Sequence, residues 1–152
     1  MKEGLVTQYN LLEFAKILRK EDKKEVVFSL GKNFENKFVN IILKHKKHTH
    51  MLFYQNIPIA IGGVCPENKK AFYGLKAGKV WLLSSYLAPL HWKNIFRFLN
   101  FQLDIYKENY DFLYNYIYKS NYASISWIKK IGFEVVDLDN SDFKLFYFMK
   151  GD

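Results

Sequence analysis

The chain has 152 residues, 49% hydrophobic and 18% aromatic, with a formal net charge of +8, a size that predicts one domain over residues 1–152 burying about two thirds of its unfolded surface. One cysteine, Cys65, excludes an intramolecular disulfide, and His45, His48 and His50 share one lysine-rich stretch with no second cluster at zinc spacing, so no metal site is read. No apolar run approaches the ~18 residues of a membrane span, Met1–Asn10 lacks an apolar signal core, and the expectation is a soluble protein made inside a cell whose basic charge favours a polyanionic partner or an anionic cofactor.

In chain order, LVTQYN (Leu5–Asn10) predicts a short strand and NLLEFAKIL a helix, apolar at 11, 12, 14, 15, 17 and 18 and capped by Asn10. EDKKEVVFSLG (Glu21–Gly31) predicts a second helix, acidic at its start and stopped by Gly31. Phe34, Phe38, Ile41 and Ile42 mark a third, ending in basic residues as the helix dipole favours. HTHMLFY and IPIAIGGV read as two strands of a hairpin turning at Gln55 and Asn56, with Gly62 and Gly63 ending or bulging the second. ENKKAFYGLKAG predicts a polar connection with a short strand at Ala71–Tyr73, and KVWLLSS the next strand.

Pro89 stands at a first helical position, and PLHWKNIFRFLNFQLDIYKENY is the longest helical pattern. YDFLYNYIYKS alternates as a strand, within which Asn115 predicts a satisfied buried hydrogen bond. NYASISWIKKIGF is a helix with both ends written in: Asn121 as N-cap, Gly132 beyond the C-terminus, and Ile125, Ile128 and Ile131 on one face. FEVVDLD and FKLFYFMK close the chain as strands around Asn140–Asp142. Helices alternating with strands predict an α/β (α+β) domain, a mixed sheet with helices on both faces.

The spacing of Asn121, Ser124, Trp127, Lys130, Gly132 and Phe133 resembles the late helix of Gcn5-related N-acetyltransferases, N-x-x-A-x-x-L-Y-x-K-x-G-F, and the element order is similar along the whole chain. LRKEDKKEV, IPIAIGGVC, VWLLSS and FLYNYI, with SISWIKKIGF, further resemble the acetyltransferase-like proteins of T7-like short-tailed phages, the internal virion protein A family. The resemblance implies a mostly antiparallel sheet of six to seven strands. It also implies acetyl-CoA as cofactor, with pantetheine beside the KVWLLSS strand and pyrophosphate at Tyr86–His91, where helix-terminal amides attract an anion.

Cofactor contacts are expected from Leu83, Ser84, Ser85, Tyr86, His91 and Asn121, Asn121 being otherwise only a cap and His91 a half-exposed helix residue. Catalysis is expected from Glu25, a general base or else a solvated helix acid, and from Tyr118 or Tyr86, acids or else packing residues. Two departures from the family stand out. SSYLAPLHW has no glycine where the family's pyrophosphate loop reads [Q/R]-x-x-G-x-[G/A], and Pro89 has no amide to donate. The family's tyrosine that protonates the thiolate falls at Ile128, which has no proton to give.

Three readings follow. One is a phage acetyltransferase acting on an amine acceptor, such as a host protein, in the host cytoplasm. Another is a catalytically degenerate protein of the virion interior or of ejection, with virion components as partners. The third is a nucleic-acid-binding protein using its basic surface.

Overall fold

The structure is a computed structural model that describes Met1–Gly151. Its seven strands form one sheet in the order β1-β2-β3-β4-β5-β7-β6: β1 Lys2–Gly4, β2 Thr49–Tyr54, β3 Ile57–Pro66, β4 Ala77–Ser84, β5 Phe112–Tyr118, β6 Glu134–Asp137 and β7 Phe143–Met149. The described helices are α1 Gln8–Lys16, α2 Lys20–Leu30, α3 Glu35–Lys44, α4 Trp92–Asn109 and α5 Tyr122–Lys130. The sheet is mixed and mostly antiparallel, and β4 with β5 is a parallel pair. The expected fold class is the one observed.

The described chain groups into two compact units, Met1–Val64 with Trp81–Arg97, and Cys65–Val80 with the residues from Phe98 onward. In the first, Gln55 and Asn56 both take positive φ (48° and 67°), the twist a two-residue hairpin demands, and set the β2–β3 register. The three N-terminal helices bury Leu11, Phe14, Val26, Phe38 and Ile42 with Met51 of β2 and Ile61 of β3. Phe14 is 0% exposed, and truncating such a ring costs about 3–5 kcal/mol.

Several boundaries differ from expectation for local reasons. The first strand is Lys2–Gly4, and the α1 cap is Thr7, whose hydroxyl accepts from the Asn10 amide at 3.1 Å. Asn10 instead donates its side-chain amide to the Leu5 carbonyl. Gly62 and Gly63 neither end nor bulge β3: a Cβ on Gly63 would fall on the His48 carbonyl, and one on Gly62 would stand 2.7 Å from the Trp81 carbonyl. The irregularity lies opposite Leu52 and Phe53, where β3 carries the extra residue, Ile59, between Pro58 and Ala60. Lys69–Phe72 is a 3₁₀ turn rather than a strand.

In the second unit β7 pairs with β5 from Phe112↔Met149 to Tyr118↔Phe143 and with β6 on its other side. Leu113 and Ile117 are buried, and Phe133 packs edge-on against Phe146 and Phe148 of β7. Helix α5 ends as a Schellman motif. Phe133 N–H reaches the Ile128 carbonyl and Gly132 N–H that of Lys129, with Gly132 at φ 97°. Lys107 adds its ammonium to the Ile131 carbonyl at 2.7 Å.

Candidate functional site: the free edge of β4

Strand parity assigns every backbone group of β4 to a side. Register Ala77↔Phe112 through Lys79↔Tyr114, with Phe112 N–H bonded to the Lys76 carbonyl at 3.3 Å, turns the even-numbered residues of β4 toward β5. Odd-numbered residues face β3, as the Ser85 N–H bond to the Ile59 carbonyl (2.9 Å) shows. On the even edge the segment joining α1 to α2 takes over at the strand's end: Arg19 N–H donates to the Ser84 carbonyl at 2.8 Å and Tyr86 N–H to the Ile17 carbonyl at 3.1 Å, around a Leu18↔Ser85 bridge. The even-numbered residue of β4 before Ser84 is Leu82.

The same segment starts α2, and its side chains build a carboxylate cluster. Asp22, 5% exposed, accepts from Ser84 N–H (3.1 Å), Ser84 Oγ (2.7 Å) and Arg19 Nε (3.1 Å). Buried carboxylates persist when their lone pairs are met in this way. The Arg19 guanidinium also lies over the Trp92 ring at 5.6 Å. Glu25 follows Asp22 by three residues, on the same helix face. Burial, then the Asp22 charge, push its carboxyl up from 4.5 to about 7 against the pull of Arg19. It is half-buried, not a solvated helix acid, and near neutral pH it takes up and releases a proton readily.

Ser84 and Ser85, expected to face a cofactor, are 2% and 0% exposed. Ser84 spends its polar groups on Asp22 and Arg19, while Ser85 Oγ accepts from Leu87 N–H at 3.2 Å. Both are internal struts. Leu83 turns its backbone to β3 and packs its side chain on the first unit's core. The stretch after β4 is a 3₁₀ turn, Ala88–His91. Its amides are spent locally: Tyr86 on Ile17, Leu87 on Ser85 Oγ, Ala88 on the Ser85 carbonyl and Leu90 on that of Leu87, while Pro89 has none. Tyr86 is 62% exposed, and His91 stacks on Tyr54 with ring centroids 4.3 Å apart. Exposed Lys93 and Arg97 follow on the first turns of α4, a pair that no sequence motif singles out.

In the second unit Tyr118 stacks on Phe143 at 4.3 Å, and Asn121 opens α5 by accepting the Ile125 N–H on its carbonyl, without a capping bond from its side chain. Ile128 is 5% exposed, a core residue. Asn115 is satisfied as expected, though half-buried rather than buried: its Nδ2 donates to the Val80 carbonyl at 2.7 Å and its Oδ1 accepts the Tyr116 N–H at 2.7 Å. Glu25 is thus grouped with Ser84, Ser85, Tyr86 and His91 in the first unit, and Tyr118 with Asn121 in the second. Among the described residues no three His, Cys, Asp or Glu side chains are grouped to hold a metal ion, and no helix is long and apolar enough to cross a membrane.

Neither a family model nor a curated protein matches the chain, but solved structures do. PaiA N-acetyltransferase of Thermoplasma acidophilum, solved with coenzyme A, is 15% identical with a TM-score of 0.63, over 97% of this chain and 96% of its own. Ribosomal-protein-alanine N-acetyltransferase of Brucella melitensis is 12% identical at TM-score 0.67, over 97% of both chains. An acetyltransferase of the GNAT family from Streptococcus pneumoniae is 13% identical at TM-score 0.63, over 99% of this chain and 98% of that one. This is the Gcn5-related N-acetyltransferase fold. The acetyltransferase fold expected from the Asn121–Phe133 helix is therefore present along the whole chain, at identities that carry architecture and not residue roles.

Proposed function

We propose that the chain binds acyl-CoA along β4 and transfers the acyl group to an amine. The observation that carries this reading is the Glu25 carboxyl, poised near pH 7 one helical turn from the Asp22 that anchors Ser84. Leu82 offers its N–H and C=O to the pantetheine amides, as a strand would. The pyrophosphate sits at the start of α4, where Lys93 and the helix dipole supply the attraction that the spent amides of Tyr86–Leu90 do not.

The chemistry is direct transfer. Glu25 takes a proton from the acceptor ammonium, and the neutral nitrogen then forms its bond to the thioester carbon. The C–S bond breaks, the nitrogen gives up its second proton and the thiolate takes one up, so that the products are the N-acyl amine and the free thiol of coenzyme A. The ribosomal-protein-alanine enzyme among the structural neighbours acts on a protein amine, in keeping with a protein acceptor, which the phage resemblance would place in the host cell.

Calorimetric titration with acetyl-CoA tests this reading, comparing wild type with Lys93→Glu. A saturable heat in the wild type, weakened about tenfold in the variant, is the expected result. No heat and no rise in Tm at millimolar acetyl-CoA overturns it. The spent amides of the 86–90 turn favour a second reading, a catalytically silent phage protein. Mass spectrometry that finds the chain in purified virions, together with a null titration, would select it.

A further inference from the structure

We infer that Asn115 is a positioning residue that stands in for one rung between β4 and β5, and so sets where acyl-CoA can begin to pair with β4. The inference rests on the proposed acyl-CoA reading. The phase of the ladder, fixed by Phe112 N–H on the Lys76 carbonyl, makes Tyr116 N–H to the Val80 carbonyl its next direct rung. Both groups are instead bonded to the Asn115 side chain, Tyr116 N–H to Oδ1 and the Val80 carbonyl to Nδ2, each at 2.7 Å.

An amide suits this position because it accepts at one end and donates at the other. Aspartate offers no donor to Val80, and an aliphatic side chain offers neither group. Two hydrogen bonds through a side chain span more distance than one direct bond, so the strands are held apart at this level without an orphaned backbone group. An apolar neighbour set would ordinarily select a β-branched residue here, since Leu113 and Ile117, two positions either way on β5, are 0% and 6% exposed. The polar exception marks a site where spacing matters more than packing.

Asn115→Val tests the assignment, because valine favours strands and frees Tyr116 N–H and the Val80 carbonyl to pair directly. Amide hydrogen exchange at Tyr116, Tm and calorimetric acetyl-CoA affinity are measured on the full chain. The expected result is a Tyr116 amide that remains protected, a Tm unchanged or raised, and acetyl-CoA affinity at least tenfold weaker. A merely structural asparagine would give the opposite pattern: a faster-exchanging Tyr116 amide, a lower Tm and undiminished affinity in the folded fraction. That outcome overturns the inference. Wild type that fails to bind acetyl-CoA overturns the proposed function instead, and the Tyr116 exchange rate then still decides whether Asn115 holds a rung open.

Discussion

Replacing Glu25 with glutamine keeps the side chain's shape and removes its proton, which separates the charge from the packing. The carboxyl is raised from 4.5 to about 7 by burial and by Asp22, so the folded protein holds this proton more tightly than the unfolded chain does. The penalty is absent below about pH 4.5, grows as the unfolded chain alone ionises, and is complete above about pH 7. The gap of 7 − 4.5 = 2.5 at about 1.36 kcal/mol each gives a ceiling of about 3 kcal/mol, which solvent screening of a half-buried group reduces to about 1–2 kcal/mol.

Thermal melts of wild type and Glu25→Gln at pH 4 and pH 8 read this directly. The variant should gain about 2–8 °C more over wild type at pH 8 than at pH 4, at about 2–4 °C per kcal/mol for a chain of this size. An equal Tm difference at both pH values refutes the raised carboxyl. If Glu25 is also the base, the same variant loses the rising limb of kcat/KM near pH 7, and its rate falls about 10²-fold.

Asp22→Ala should cost about 3–4 kcal/mol in urea unfolding, because Ser84 N–H and O–H are left buried without an acceptor. Asp22→Asn keeps an acceptor and should cost about 1 kcal/mol; equal losses in the two variants would show that the hydrogen bonds to Ser84 are not what matters. Removing the Asp22 charge should also lower the Glu25 pKa, since Asp22 helps raise it, and carboxyl chemical shifts followed through a pH titration check the direction. Gly63→Ala puts a methyl onto the His48 carbonyl; the expected outcome is an insoluble or unfolded chain, and a folded variant with wild-type Tm would show that β2 and β3 have room to separate there.

The elements are legible wherever one local signal decides them. Gln55-Asn56 names the hairpin, Gly31 and Gly132 end their helices at positive φ, and the alternation of Phe112–Tyr118 sets a strand. Boundaries shift where two nearby residues both qualify, as with Thr7 and Asn10. Gly62 and Gly63 mislead because their reason, a carbonyl on a neighbouring segment, is invisible to a local window. The site is legible only in part, for a similar reason. Glu25 can be singled out, but its raised pKa depends on Asp22, whose own burial depends on Ser84, 62 residues away. Ser84 and Ser85 are the adjacent polar residues at the end of β4 and so the natural cofactor candidates, yet that polarity is consumed by the fold. Asn115 announces itself because a lone amide in an apolar strand requires partners, although sequence cannot say that the partners are the two halves of one rung.

The even-numbered edge of β4 is covered by different means along its length. A long unpaired edge templates aggregation, and natural sheets cover or shorten theirs. Here the coverage is divided along the strand. β5 takes Lys76–Lys79, the Asn115 amide takes the Val80 carbonyl, and the α1–α2 segment with Asp22 takes Ser84 and Tyr86. Leu82 is the even-numbered residue between them, and one residue's N–H and C=O are too few to recruit a neighbouring strand. The polar struts Asn115 and Asp22 act alike within their own units, since each spends a side chain on backbone groups of β4: Asn115 on the Val80 carbonyl and Asp22 on the Ser84 N–H.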